Sequence, residues 1–184
     1  MQHFVSGIDL NKIPQDYKSI ILGAGCFWGV ERRFWEDPNI YLTSVGYSGG
    51  HIDNPTYKQV CYEDTGHVEV VKVIFDPQLI SLEEILKIFW ECHDPSQGDR
   101  QGNDRGTQYR SVIFCENEKD LNLANQSQKK YQEVLSEAGF GEITTEIKIF
   151  NTYFLAEDYH QQYLAKNPNG YCGLGGTGCA FPNN

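Results

Sequence analysis

Six cysteines stand at positions 26, 61, 92, 115, 172 and 179, and their surroundings differ. Cys26 follows the apolar run 19–23 and Gly25, and it precedes Phe27, Val30, Phe34 and Trp35 at roughly helical spacing. That spacing predicts a strand, a tight turn and a helix, with Cys26 at the helix N-terminus. Unpaired N–H groups and the helix dipole favour an anion there, so a thiolate is stabilised and an inert thiol becomes a nucleophile. Most cysteines are simply small buried core residues. Three features favour the nucleophile: Gly25 and Gly29 allow close backbone approach, Phe27 and Trp28 add aromatic surface, and distant cysteines are available to resolve an oxidised sulfur.

Cys172 and Cys179 lie in GYCGLGGTGC, where five glycines between 170 and 178 supply chain flexibility. An exposed disulfide between them is open to reduction by an external dithiol. A static disulfide or half a zinc site is the alternative, but there is no matched second cysteine pair to complete a metal site. Cys61, Cys92 and Cys115 read as packing residues. His51, His67, His93 and His160 show no ligand spacing with carboxylates or cysteines, so no metal is expected.

The elements that must position these groups follow from periodicity. Residues 1–17 read as an N-terminal arm, 18–165 as the core of a single catalytic domain, and 166–184 as a glycine-rich tail. After the helix carrying Cys26, a strand is expected over 41–47, then a polar loop containing Pro55. A strand is expected over 67–75, with His67, Glu69, Val71, Val73 and Phe75 on one face and Val68, Val70, Lys72 and Ile74 on the other. Ser81 and Glu84 form a capping box ahead of a helix with Leu82, Ile85, Leu86 and Phe89 inward, reaching about His93. A polar segment over 94–108 leads to a strand over 109–115, a helix over 117–138, a strand over 143–150 and a helix over 157–165. This order predicts an α+β fold: a split βαβ, ferredoxin-like core with a mixed sheet, an extra helix and strand, and a long irregular C-terminal tail. Glu69 points to a mostly apolar side, where desolvation would keep a carboxyl protonated near neutral pH, as a general acid requires. A solvated strand-end glutamate is the competing reading.

The net charge of -10 and the lack of a Lys/Arg cluster exclude nucleic acid as an expected partner. No apolar run approaches the roughly 20 residues that span a bilayer. The first residues resemble neither a secretory signal nor a transit peptide, so the expectation is a cytoplasmic monomer.

The string GAGCFWG at 23–29 resembles the active-site motif of the A-type peptide methionine sulfoxide reductases. The resemblance continues through GYSGG at 46–50, PTYKQVC at 55–61, TGHVEVV at 65–71, GNDRGTQYRS at 102–111 and KNPNGYCG at 166–173. It implies that Cys26 is the nucleophile, Phe27 and Trp28 the pocket for the substrate methyl, and Glu69 the proton donor to the sulfoxide oxygen. It further implies that Tyr57 and Tyr109 hydrogen-bond that oxygen and that Asp104 helps hold the polar site. Cys172 would attack the resulting Cys26 sulfenic acid, and Cys179 would then take over the disulfide. Thioredoxin is the implied reductant, with no further cofactor. The implied substrates are oxidised proteins, peptides or free methionine sulfoxide, of the S epimer. Glu63 stands where the family usually has glycine and Val68 where it usually has alanine, and neither departure removes a proposed catalytic group. A thiol peroxidase and a redox-sensing module are the alternatives. The first needs no methyl pocket, and the second needs no complete nucleophile, acid and recycling pair.

Overall fold

The computed structural model describes residues 1–150 and 152–182, so the last two residues of the expected tail lie outside the described residues. Strand β1 (Lys18–Ala24) leads into helix α1 (Phe27–Trp35), followed by β2 (Ile40–Ser48), a short helix α2 (Tyr57–Tyr62), β3 (Val68–Phe75) and α3 (Leu82–Cys92). A small hairpin of β4 (Arg100–Gln101) and β5 (Asp104–Arg105) precedes β6 (Ser111–Cys115), the long helix α4 (Glu118–Glu137), β7 (Glu146–Ile149), β8 (Tyr153–Leu155) and α5 (Tyr163–Lys166). The main sheet runs β7-β6-β1-β3-β2-β8; β6 and β7 pair parallel and the other neighbours antiparallel. The expected β-α-β-β-α-β core is therefore formed by β1, α1, β2, β3, α3 and β6, with β7 and β8 added at the two edges.

Alternation along β3 divides the interior. Val71, Val73 and Phe75 join the main core beneath α1, α3 and α4, whereas Val68 and Val70 face a smaller cluster with Ile21, Val112 and Phe114. Glu69 shares the parity of the main-core residues and is 1% exposed. The capping box at Ser81 forms as expected, with Ser81 Oγ accepting from the Glu84 N–H and Glu84 Oε2 accepting from the Ser81 N–H.

Several boundaries differ from the sequence expectation. The strand expected from Tyr109 begins at Ser111, because Gly106 at φ 139° turns the chain into a 3-10 turn over Thr107–Tyr109. The helix expected over 157–165 breaks into a 3-10 turn (Asp158–His160) and α5, because Gln162 adopts a left-handed conformation at φ 49°. Helix α2 stands where a loop was expected, and β8 was not anticipated. The N-terminal arm is fastened to the domain: His3 is 3% exposed, its Nε2 lies 3.0 Å from Thr43 Oγ1, and the Phe4 N–H donates to Gln162 Oε1.

Candidate active site

Gly25 sets the entry into α1. Its φ of 97° suits glycine, and a Cβ at that position would come within 2.7 Å of the Gln101 side chain. The chain then places Cys26 as the N-cap of α1, half-buried, with its sulfur approached by the backbone N–H groups of Trp28 and Gly29. Those donors act as expected for an anion, yet they do not prevail. Burial, reinforced by Glu69 and Asp104, raises the Cys26 thiol far above its ordinary value, so the resting sulfur is protonated. The thiolate expected from the helix N-terminus alone is therefore corrected for the resting site: desolvation outweighs the two N–H groups.

Glu69 reaches the same helix start from β3, and its Oε2 accepts the Phe27 N–H at 3.1 Å. Burial pushes its carboxyl up to about 8; the Phe27 hydrogen bond opposes the rise and Asp104 adds to it. At neutral pH this is mostly a neutral acid. Tyr57, at the start of α2, and Tyr109, in the 3-10 turn, are both half-buried and both sense Glu69. Burial first, then Glu69, raises both phenols, so both remain hydrogen-bond donors. Asp104, in the β4–β5 hairpin, accepts from the Tyr171 hydroxyl at 3.3 Å, and burial raises its carboxyl.

Phe27 and Trp28 are joined by the expected site residue Tyr57 and by two rings that sequence reasoning did not select, Tyr163 and His160. Tyr57 stacks on Phe27 with centroids 6.4 Å apart, and Tyr163 stacks on Trp28 at 3.9 Å. His160 lies among them. Its Nδ1 accepts the Trp28 Nε1–H at 3.1 Å, and burial lowers its pKa to about 4, keeping it neutral. Glu157 accepts from the Tyr57 N–H and the Tyr47 hydroxyl, both at 2.8 Å, and so locks α2 against the segment before α5. Residues 157–165 read as an ordinary helix in the sequence, and nothing in their spacing marks them as site residues. Cys61, in the last turn of α2, is half-buried, and burial raises its thiol.

The C-terminal residues are irregular, as expected, but seated. Cys172 Sγ rests above α1 at Gly29, where an added Cβ would lie 3.0 Å from both that sulfur and Leu174 Cβ. Further on, the Tyr131 hydroxyl donates to the Cys179 carbonyl at 3.0 Å, the Phe181 N–H donates to Glu91 Oε1 at 2.8 Å, and Phe181 stacks on Tyr131. Cys172 and Cys179 are both free and half-buried. Among the described residues no group of three His, Cys, Asp or Glu could hold a metal ion, and no helix is long and apolar enough to cross a membrane.

A thiol and a buried neutral acid meeting beside a cluster of aromatic rings, with two further cysteines at the chain end, suit reduction of a small oxidised sulfur group. The family model described as peptide methionine sulfoxide reductase matches residues 18–177. The chain belongs to the peptide methionine sulfoxide reductase family. The mitochondrial peptide methionine sulfoxide reductase of Homo sapiens is 56% identical over 182 residues, spanning 98% of this chain and 77% of that one. Methionine sulfoxide reductase A of Corynebacterium diphtheriae superimposes with a TM-score of 0.88 at 42% identity, covering 98% of this chain and 89% of its own. Reduced Mxr1 of Saccharomyces cerevisiae gives 0.81 at 36% identity, covering 88% and 92%. This reductase is thus an oxidoreductase acting on methionine sulfoxide, in the α+β fold that the family shares.

Proposed function

We propose that the protein reduces peptide-bound or free methionine S-sulfoxide with Cys26 as nucleophile, Glu69 as general acid and Cys172 and Cys179 as successive recycling thiols. The observation that carries this reading is the meeting of Cys26 and Glu69 at the start of α1: Glu69 Oε2 accepts the N–H of Phe27, the residue after Cys26, at 3.1 Å, and burial keeps both groups protonated at neutral pH. A sulfoxide is a poor electrophile until its oxygen is protonated. Neutral Glu69 gives its proton to that oxygen while the Cys26 sulfur attacks the sulfoxide sulfur. Carboxylate formation beside Cys26 draws the thiol proton onto Glu69, so the pair carries no net charge before or after the step. The protonated oxygen then passes from the substrate sulfur to the Cys26 sulfur: the substrate S–O bond and the new S–S bond break, an S–O bond forms on Cys26, methionine leaves with both electrons of the S–S bond, and Cys26 becomes a sulfenic acid.

Tyr57 and Tyr109 donate to the oxygen as it gains negative charge, without adding charge themselves. Phe27 and Trp28, the latter held by His160 and Tyr163, receive the methyl group, and Asp104 braces the polar side through Tyr171. Condensation with Cys172 and exchange to Cys179 give a disulfide for an external dithiol. Thioredoxin suits that role, and the solved complex of Mxr1 with Trx2 supports it. The protein works as a monomer in a cytoplasmic setting, without a bound cofactor.

The test is anaerobic turnover of resolved R and S methionine sulfoxide peptides with thioredoxin as reductant, comparing the parent with Cys26→Ser. S-specific turnover lost in Cys26→Ser is expected. Consumption of hydrogen peroxide without reduction of either epimer would transfer the site to peroxidase chemistry.

A further inference from the structure

The geometry points to Arg32 as a positioning residue for the recycling step, holding the Cys172 sulfur on α1 for attack on oxidised Cys26. This rests on the proposed order of the cysteines. Arg32 Nη2 lies 3.2 Å from Cys172 Sγ, across 140 residues of sequence. Cys26, Gly29 and Arg32 recur at intervals of three, which makes each the surface neighbour of the next along α1. Cys172 is seated over Gly29 and Arg32. Gly29, lacking a side chain, leaves room for the sulfur and for Leu174, and Arg32 grips the sulfur from the following turn. Tyr171, the residue before Cys172, donates to Asp104 at 3.3 Å, which ties this part of the tail to the polar side of the site.

Arginine also suits the chemistry. Its planar guanidinium is always charged and presents its donors in a fixed direction, so it orients a sulfur and stabilises negative charge gathering on it. In the step itself the Cys172 sulfur forms a bond to the Cys26 sulfur, the S–O bond of the sulfenic acid breaks, and the hydroxide leaves with the thiol proton as water. Two electrons from the Cys172 thiol reduce Cys26 from sulfenic acid to disulfide. Arg33, adjacent in sequence, is exposed and borders the same cavity of about 230 Å³ beside Cys172, which makes it a matched charge control.

The experiment is a single turnover with one equivalent of S-sulfoxide peptide in a Cys179→Ser background. Released methionine, dimedone-trapped Cys26 sulfenic acid and the Cys26–Cys172 disulfide are followed in the same samples. Arg32→Met is expected to slow disulfide closure about tenfold, the scale of one charge-assisted hydrogen bond, with trapped sulfenic acid rising in proportion. Arg32→Lys, which keeps charge but loses the fork, closes at an intermediate rate, and Arg33→Met closes like the parent. Closure at the parent rate in both Arg32 variants overturns the assignment, as does equal slowing by Arg33→Met. If Arg32→Met releases no methionine in its first turnover, Arg32→Lys is read alone, and parent-like closure in it overturns the assignment. Mapping the parent disulfide keeps the two ideas apart: a link from Cys26 to any cysteine other than Cys172 overturns the cysteine order, and the role of Arg32 with it.

Discussion

Replacing Glu69 by Gln should separate stability from activity in a pH-dependent way. The folded carboxyl titrates at about 8 against an ordinary value of 4.5, so the folded state binds its proton more tightly than the unfolded chain. Below pH 4.5 both states are protonated and the group costs nothing. As pH rises from 4.5 towards 8, the unfolded state gains from ionisation that the folded state resists, and stability falls by about 1.4 kcal/mol per pH unit. At pH 7 the accumulated cost is about 3 kcal/mol. Glu69→Gln keeps an acceptor for the Phe27 N–H and never ionises, so it should be more stable than the parent by roughly that amount at pH 7 and by almost nothing at pH 4. Sulfoxide reduction should fall by a factor of about 10² to 10⁴, the usual contribution of a general acid. Urea denaturation across pH 4–8 gives the first quantity, and first-turnover methionine release gives the second. A stability difference that does not change with pH would refute the buried neutral acid, whatever the activity shows. The parent should also lose activity above about pH 8, where Glu69 ionises.

Tyr57→Phe and Tyr109→Phe should each lower kcat about a hundredfold, as loss of one donor to a developing oxyanion does, measured by steady-state turnover with thioredoxin. Gly29→Ala puts a Cβ 3.0 Å from Cys172 Sγ and Leu174 Cβ, so it should displace the sulfur and slow Cys26–Cys172 closure in a stopped single turnover. Tyr131→Phe removes the donor to the Cys179 carbonyl; about 1 kcal/mol of stability should be lost, and Cys179 should react faster with iodoacetamide. Glu31→Ala should cost about 3 kcal/mol or more by urea denaturation, since it strands the Gln162 N–H, the Gln162 amide and the Thr43 hydroxyl in the interior.

The sequence was legible where a local signal and the tertiary environment agreed. Cys26 and the turn before α1, the parity that buries Glu69 and the Ser81 capping box each rest on residues close together in the chain. Helix α2 carried its own signal, a capping box from Thr56 to Gln59, but only one buried residue follows it, so no apolar stripe marked it as a helix. The segment before α5 failed in the opposite way. Its spacing looks helical, but Gln162 is drawn into a left-handed conformation by hydrogen bonds to Glu31, 131 residues earlier. The protonation of Cys26 escapes local patterns for a similar reason, because the burial that raises its thiol comes chiefly from elements packed over the helix start from elsewhere in the chain. His160, Tyr163 and Glu157 were invisible to spacing because their roles depend on contacts with Trp28, Tyr57 and Tyr47 that only the folded chain creates.

The clasp between Glu31 and Gln162 bears on synthesis as well as on the finished molecule. Glu31 is fully buried in α1, the helix that carries Cys26, and its carboxylate oxygens accept from the backbone and side chain of Gln162. In a nascent chain the Thr43 hydroxyl is available early, but the two donors of Gln162 reach that carboxyl only after residue 162 has cleared the ribosome exit tunnel, which places nearly the whole polypeptide ahead of the event. Trp28 likewise waits for His160 and Tyr163. The reactive cysteine is translated early and its setting is completed late, so a chain stalled or truncated before the last helix carries the nucleophile without the machinery around it.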